Sequence, residues 1–293
     1  QRQMCIRDRQ MTVRVKAVAA AGAVAAFWLA VWVLVAGLVA QPLILPGPVA
    51  VVVALLRLAC DAGTWAILVG SGARILGGLA LAAVCGGVMA GVSVRSLTFA
   101  RLVAPALSFV KATPVACVVV LLLIWLGSAR VSIAVVFLMA LPGVYFSLVE
   151  GLAQVDQPLE QMFRLHGVQG WRLFCAHTWR EVLPFVLSCA RAVIGMSWKA
   201  GVAAELIGMA TGTVGERIYQ AKLLIETADL LAWTVLVVAA SWACERVLVW
   251  LLRASGPVAW RTAVRAHGRG GRGRACGSAG GGAAAELALA VGD

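Results

Sequence analysis

Long apolar runs, broken at intervals by short polar or proline-rich stretches, dominate the chain. About 20 consecutive apolar residues cross the hydrocarbon core of a bilayer, and six runs reach that length: 17–40, 65–94, 102–126, 131–149, 182–207 and 230–252. The first is longer than the core of a cleavable signal peptide and lacks a small-x-small cleavage site, so it is read as an uncut span. The stretch "QPLILPGPVAVVVALLRLAC" (41–60) carries three prolines and a tail too short to cross, which predicts a re-entrant or interface-lying helix. Pro105 and Pro114 predict a bend in the third span. The pattern as a whole predicts an all-α integral membrane protein with six transmembrane helices.

Between the fourth and fifth runs the pattern changes. "GLAQVDQPLEQMFRLHGVQGWRLFCAHTWREVLP" (151–184) is long for a passive connector, and it holds two helical periods. Asp156 or Gln157 can cap the first and Pro158 suits a first turn. Leu159, Met162, Phe163 and His166 then recur at i, i+3, i+4 and i+7, and Gly167 closes the helix. Trp171, Phe174, Cys175 and Thr178 repeat the spacing. The apolar sides of two such helices need a cover: the protein's own helix ends or lipid surface, or a groove on a partner. Periodicity alone does not choose between them.

Composition agrees with the spans. Of 293 residues, 62% are hydrophobic and 13% charged, against roughly half and a quarter in soluble domains. The net charge of +12 is spread along the chain rather than gathered on one domain, which argues against nucleic acid as a partner. It does set an orientation. With the N-terminus in the cytoplasm, Arg14, Lys16, Arg95, Arg101, Arg164, Arg172, Arg180 and Arg253 fall inside, and only Arg57, Arg130, Arg217 and Lys222 fall outside. Both termini and the 151–181 segment are therefore expected in the cytoplasm of a multi-pass inner-membrane protein. Residues 1–10, "QRQMCIRDRQ", match nothing that follows, and Met11 is the expected native start. The domain plan is a leader and basic flank over 1–16, a transmembrane domain over 17–252, and a Gly/Arg/Ala-rich tail over 253–293 expected to be disordered.

Eight cysteines show no CxxC or metal-ligand spacing, so neither a metal site nor a disulfide framework is expected. No G-x-x-x-x-G-K-[ST] phosphate loop occurs; "GSGARILGG" (70–78) lacks the lysine. No cofactor is expected, and the chain is read as a non-catalytic subunit. His166, His177 and His267 lie outside the spans, and Ser197 near Lys199 is a weak nucleophile–base pair.

Charges inside the spans are the remaining signal: Arg74, Lys111, Arg191, Lys199, Glu205, Glu245 and Arg246. Such residues are costly in hydrocarbon and face partners or water. Glu205, near the outer end of span five, can reach an interface by snorkelling; Lys199, deeper, cannot. Six residues apart, the two point to different faces. Arg191 and Glu245 lie at similar heights on spans five and six and are expected to pair. Gly87 and Gly91, with Gly208 and Gly212, offer small-x-x-x-small faces for helix packing.

The loop resembles the coupling loop of permeases in binding-protein-dependent ABC importers, whose motif runs Glu-Ala-Ala, three residues, Gly, then Leu-Pro. Gly167 matches the central glycine and Leu183-Pro184 the Leu-Pro. Gln161-Met162-Phe163 replaces Glu-Ala-Ala, with Glu160 one place early, and Arg180 stands at the family's first proline. "PLILPGPVAVV", "LIWLGSARVSIAVVFLMALPGVYFSLVEGLAQVD" and "WKAGVAAELIG…VGERIYQAK" are most similar to the nitrate/sulfonate/taurine/bicarbonate branch, over residues 20–252. The resemblance implies a MetI-like ABC importer permease fold. It implies a second copy of the chain, a cytoplasmic ABC ATPase dimer that hydrolyses the ATP, and an extracytoplasmic solute-binding protein that delivers a small, often anionic solute. It implies ATPase coupling through Leu159, Glu160, Met162, Phe163, Gly167 and Pro184, and a translocation pathway lined by Trp198, Lys199 and Glu205. An ion-coupled secondary transporter is the alternative, but such proteins commonly show inverted repeats and paired intramembrane acids; no repeat joins the two halves here.

Overall fold

The computed structural model describes residues 22–24, 26–41, 43–168 and 170–254, and these are helical nearly throughout. Valine-rich runs that water would favour as strands become helices here, because a helix satisfies every backbone group within its own segment. The helices are α1 (Gly22–Val39), α2 (Pro48–Cys60), α3 (Ala62–Arg95), α4 (Leu97–Ala112), α5 (Val115–Leu126) and α6 (Ser128–Ala153). They continue with α7 (Gln157–Leu165), α8 (Gly170–Leu173), a π-turn (Phe174–Thr178), α9 (Trp179–Gly208), α10 (Val214–Leu223) and α11 (Thr227–Ala254). The leader, the basic flank and the tail from 255 lie outside the described residues.

Among the described residues five helices, α1, α3, α6, α9 and α11, are long and apolar enough to cross a membrane. The sixth expected crossing is a broken one. α4 and α5 pass the same test together but meet at 103°. The bend falls at Pro114, where Thr113 is extended (φ −73°, ψ 131°), as a residue before proline prefers. Pro105, also expected to bend this span, lies inside α4, which continues through it. The 41–60 stretch forms the short apolar helix α2, with Pro48 in its first turn.

The chain divides into two compact units. The first takes in the described residues up to 65 together with 217–236. In it Asp61 caps the start of α3, accepting from the Gly63 and Thr64 backbone N–H at 3.2 and 3.1 Å. The Gly63 bond is the main reason its carboxyl lies below the usual carboxylate range. Trp65 Nε1 donates to the Ala59 carbonyl at 2.9 Å, and Arg57 pairs with Asp229.

The second unit takes in the described residues of 66–216 and 237–254, and α6 and α9 form its central packed pair. Ile75 and Ala82 of α3, Val136, Ala140, Val144 and Tyr145 of α6, and Val193, Ile194 and Trp198 of α9 share one buried cluster. Its polar atoms are matched internally: Ser93 Oγ and Tyr145 Oη are 2.8 Å apart. Of the expected glycines Gly208 marks a close approach, since a methyl there would lie 3.0 Å from Val131 Cγ1, but the tightest approaches fall elsewhere. A methyl at Gly78 would lie 2.5 Å from the Ile133 carbonyl oxygen, and one at Gly201 would lie 2.6 Å from Ile75 Cγ1. Gly91 meets nothing within 4 Å, Gly87 only the end of Leu148, and Gly212 lies in a turn at φ +68°.

Candidate functional site: the coupling segment and the exposed face of α9

The segment after α6 folds as its caps dictate. The Asp156 side chain accepts from the Leu159 N–H at 3.3 Å, and Pro158 stands in the first turn of α7. At the other end Gly167 takes φ +78°. Its N–H bonds the Arg164 carbonyl at 3.1 Å, and the Val168 N–H reaches back to Phe163 at 3.0 Å. These two bonds form a Schellman close, which needs a left-handed residue and so favours glycine. Glu160 and Arg164 pair along the helix at 2.6 Å.

α7 has no buried residue, and its apolar side chains divide between two directions. Met162 is 47% exposed and Leu165 87%. Phe163 turns back and stacks on His177, with centroids 5.6 Å apart and rings 26° from parallel. Leu159 and Glu160 are half-buried. Leu165 stands outside the i, i+3, i+4, i+7 series, because six residues of regular helix place it about 120° round the axis from Leu159.

The second expected loop helix is not a separate element. Trp171 lies in the four-residue α8, Phe174 and Cys175 lie in the π-turn, and the chain runs on into α9. Trp171 is 76% exposed and stacks on Phe174 at 5.2 Å. Span five therefore begins at Trp179 rather than Val182, and Pro184 lies inside it.

Of the three residues expected along the pathway, only Lys199 faces outward. Trp198 is buried, its indole beside Gly72. Glu205 is fully buried, so it does not snorkel. Its Oε2 accepts from Ser71 Oγ at 2.9 Å and from the Gly215 N–H at 3.4 Å, while Oε1 lies 3.8 Å from Arg74 Nη1. Ser71 Oγ in turn accepts from the Val214 N–H at 3.0 Å. The carboxylate thus joins the end of α9 to α3 and to the start of α10, whose first N–H groups carry partial positive charge.

The expected Arg191–Glu245 pair is not formed. Ion pairs that the described residues do form include Arg57–Asp229, Arg74–Glu205, Glu160–Arg164 and a His177–Glu181 contact. Glu245 is half-buried, and its neighbour Arg246 lies over the Trp242 ring at 4.7 Å. Arg191 is exposed, as are Ser188, Ala192, Met196 and Lys199. These recur every three or four residues and define one outward sector of α9. Arg191 and Lys199, eight residues apart, are separated by about 12 Å along the axis.

A cavity of about 870 Å³ opens among α3, α6, α9 and the coupling segment. Leu79, Val144, Leu148, Val186 and Ile194 give it a largely apolar wall, and Arg95, Gln157, Glu160, Arg164 and Thr178 also line it.

Comparison with known proteins agrees with this architecture. Residues 82–258 match the family described as binding-protein-dependent transport system inner membrane component. The taurine transport system permease protein TauC of Escherichia coli (strain K12) is 31% identical over 70% of this chain and 76% of its own. The bicarbonate transport system permease protein CmpB of Synechococcus elongatus is 24% identical over 66% of this chain and 70% of its own. The chain belongs to the family of binding-protein-dependent ABC importer permeases. It is a membrane-embedded transport subunit, and membership favours that reading over the ion-coupled transporter.

Proposed function

We propose that this permease forms the pathway for a small sulfonate- or bicarbonate-type anion, handed over by an external binding protein and driven by a separate ATPase. The observation that carries the reading is the outward sector of α9. Two cations without ion partners among the described residues lie well inside a 30-residue apolar helix. Each costs roughly 2.5–3.5 kcal/mol at the centre of a span. A lipid-facing surface gives no return for that cost. A water-filled seam between two copies of the chain does, since positive charge there attracts an anion and the second copy removes the sector from lipid.

The anionic relatives support the choice of solute class, and the excess of Lys and Arg on one side supports cytoplasmic termini. Met162 and Leu165 present an apolar patch on the coupling helix for an ATPase groove. Phe163 supports that helix from behind, Glu160 stiffens it through Arg164, Leu159 seats its first turn and Gly167 ends it. Pro184 belongs to the root of α9. Trp198 and Glu205 hold the helix in place beside the pathway.

The test is uptake of an alkanesulfonate and of bicarbonate into proteoliposomes holding the permease, its ATPase and its binding protein. Lys199→Glu and Arg191→Glu are expected to cut uptake by about tenfold or more, since roughly 1.4 kcal/mol of lost attraction is tenfold. Both variants should insert at parental levels. Unchanged uptake of both anions in both variants would overturn the reading.

A further inference from the structure

His177 stands where the permease most needs a joint, between the coupling helix and the root of α9. It is only 3% exposed. Its Nε2 lies 3.1 Å from the Asp156 carbonyl oxygen; a carbonyl only accepts, so Nε2 carries the proton. One turn on, Glu181 Oε2 accepts from the Asp156 N–H at 2.8 Å. Both backbone groups of the residue that caps α7 are therefore held by side chains of the α9 root. Glu181 Oε1 lies 3.7 Å from His177 Nδ1 on the other side of the ring, and Phe163 covers its face.

The grip is placed to transmit force. Asp156 also caps α7 through its side chain, so a displacement of α7 pulls on the atoms that His177 and Glu181 hold. His177 belongs to the π-turn Phe174–Thr178, which runs without a break into α9. π-Turns insert one residue into a helix and frequently mark functional positions. The same α9 carries Arg191 and Lys199, about four and six turns beyond His177.

We propose that His177, with Glu181, is a positioning device that carries movement of the coupling helix into α9, so that ATPase engagement alters the cationic sector. The proposal rests on the reading that α7 docks the ATPase. It predicts that cutting the grip separates docking from response: the ATPase still binds, and α9 no longer answers to nucleotide.

The experiment uses the full permease–ATPase complex in lipid nanodiscs, cysteine-free apart from Met196→Cys on the outward sector, carrying a nitroxide label. Electron paramagnetic resonance is recorded without nucleotide and with ATP plus vanadate. In the parent the nucleotide is expected to change the fraction of immobilised label by about twofold or more, as a two-state element biased by a partner should. His177→Leu is expected to abolish that response while retaining the ATPase. His177→Gln, whose amide places an N–H donor near the position of Nε2, is expected to restore it. Glu181→Leu cuts the second bond to Asp156 and should behave as His177→Leu does, which keeps the test decisive if one variant fails to fold. A parental response in both leucine variants overturns the proposal and leaves α7 docking intact. Loss of the ATPase from both also overturns it, because the grip would then only shape the docking surface. Retention of the ATPase by Leu165→Asp and Met162→Asp would instead sink the docking role of α7.

Discussion

Replacing Glu205 by alanine tests whether this intramembrane acid is a structural joint. The substitution removes the acceptor of the Ser71 hydroxyl and of the Gly215 N–H, and it strips Arg74 of its counter-charge. Stranding a buried polar group costs about 1–3 kcal/mol, and breaking a buried ion pair about 3–5. The full ionic figure does not apply, because Arg74 is 26% exposed and can turn toward water. Ser71 also keeps its bond from the Val214 N–H. A net loss of about 2–4 kcal/mol is the result. At roughly 2–4 °C per kcal/mol for a protein near this size, the melting temperature should fall by about 4–16 °C. Glu205→Gln keeps an oxygen for Ser71 and Gly215 and loses only the charge, so a drop of about 1 kcal/mol is expected. The assay is circular dichroism melting of the detergent-solubilised permease at one fixed scan rate, since unfolding of such proteins is commonly irreversible. Lys199→Ala, which removes no bond, serves as the control and should melt with the parent. If Glu205→Ala melts with the parent while alkanesulfonate uptake collapses, Glu205 lines the pathway and the joint is refuted.

Leu165→Asp and Met162→Asp are each expected to reduce ATPase co-purification by about tenfold without lowering membrane insertion, since both side chains already face water in the isolated chain and only a bound groove would desolvate the charge; gel filtration of the solubilised complex reads this directly. Gly78→Ala should destabilise by about 1–3 kcal/mol, because its methyl would meet the backbone oxygen of Ile133 rather than a movable side chain; an unchanged melting temperature would show that α3 can shift. The Asp61 cap has a depressed carboxyl pKa, so its contribution is complete above the ordinary value near 4 and disappears as pH falls through the lower folded value. Amide exchange at Gly63 and Thr64 should accordingly rise on acidification relative to its intrinsic rate, and an Asp61→Ala variant should lack that excess.

Much of the architecture follows from the order of residues alone. The spans are legible because bilayer thickness fixes the length of an apolar run, and because backbone polar groups in lipid have to bond within their own helix. The coupling helix is equally legible, since Asp156, Pro158 and Gly167 act on bonds within one or two turns of themselves. Sequence similarity then places the chain among the importer permeases. Partnership between distant charges is another matter. Height along two helices made Arg191 and Glu245 look matched, yet pairing also needs the facing sides of both helices, and rotation about an axis is set by packing. The α6–α9 core buries Trp198 and turns Arg191 and Lys199 outward, whereas Glu205 finds Ser71 and Arg74 from a helix more than a hundred residues earlier. His177 was likewise only a loop histidine until the π-turn brought it to Asp156. Local hydrogen bonding and hydrophobic length are written in the sequence; which charges meet is decided by how the helices pack, because that alone fixes which faces are shared.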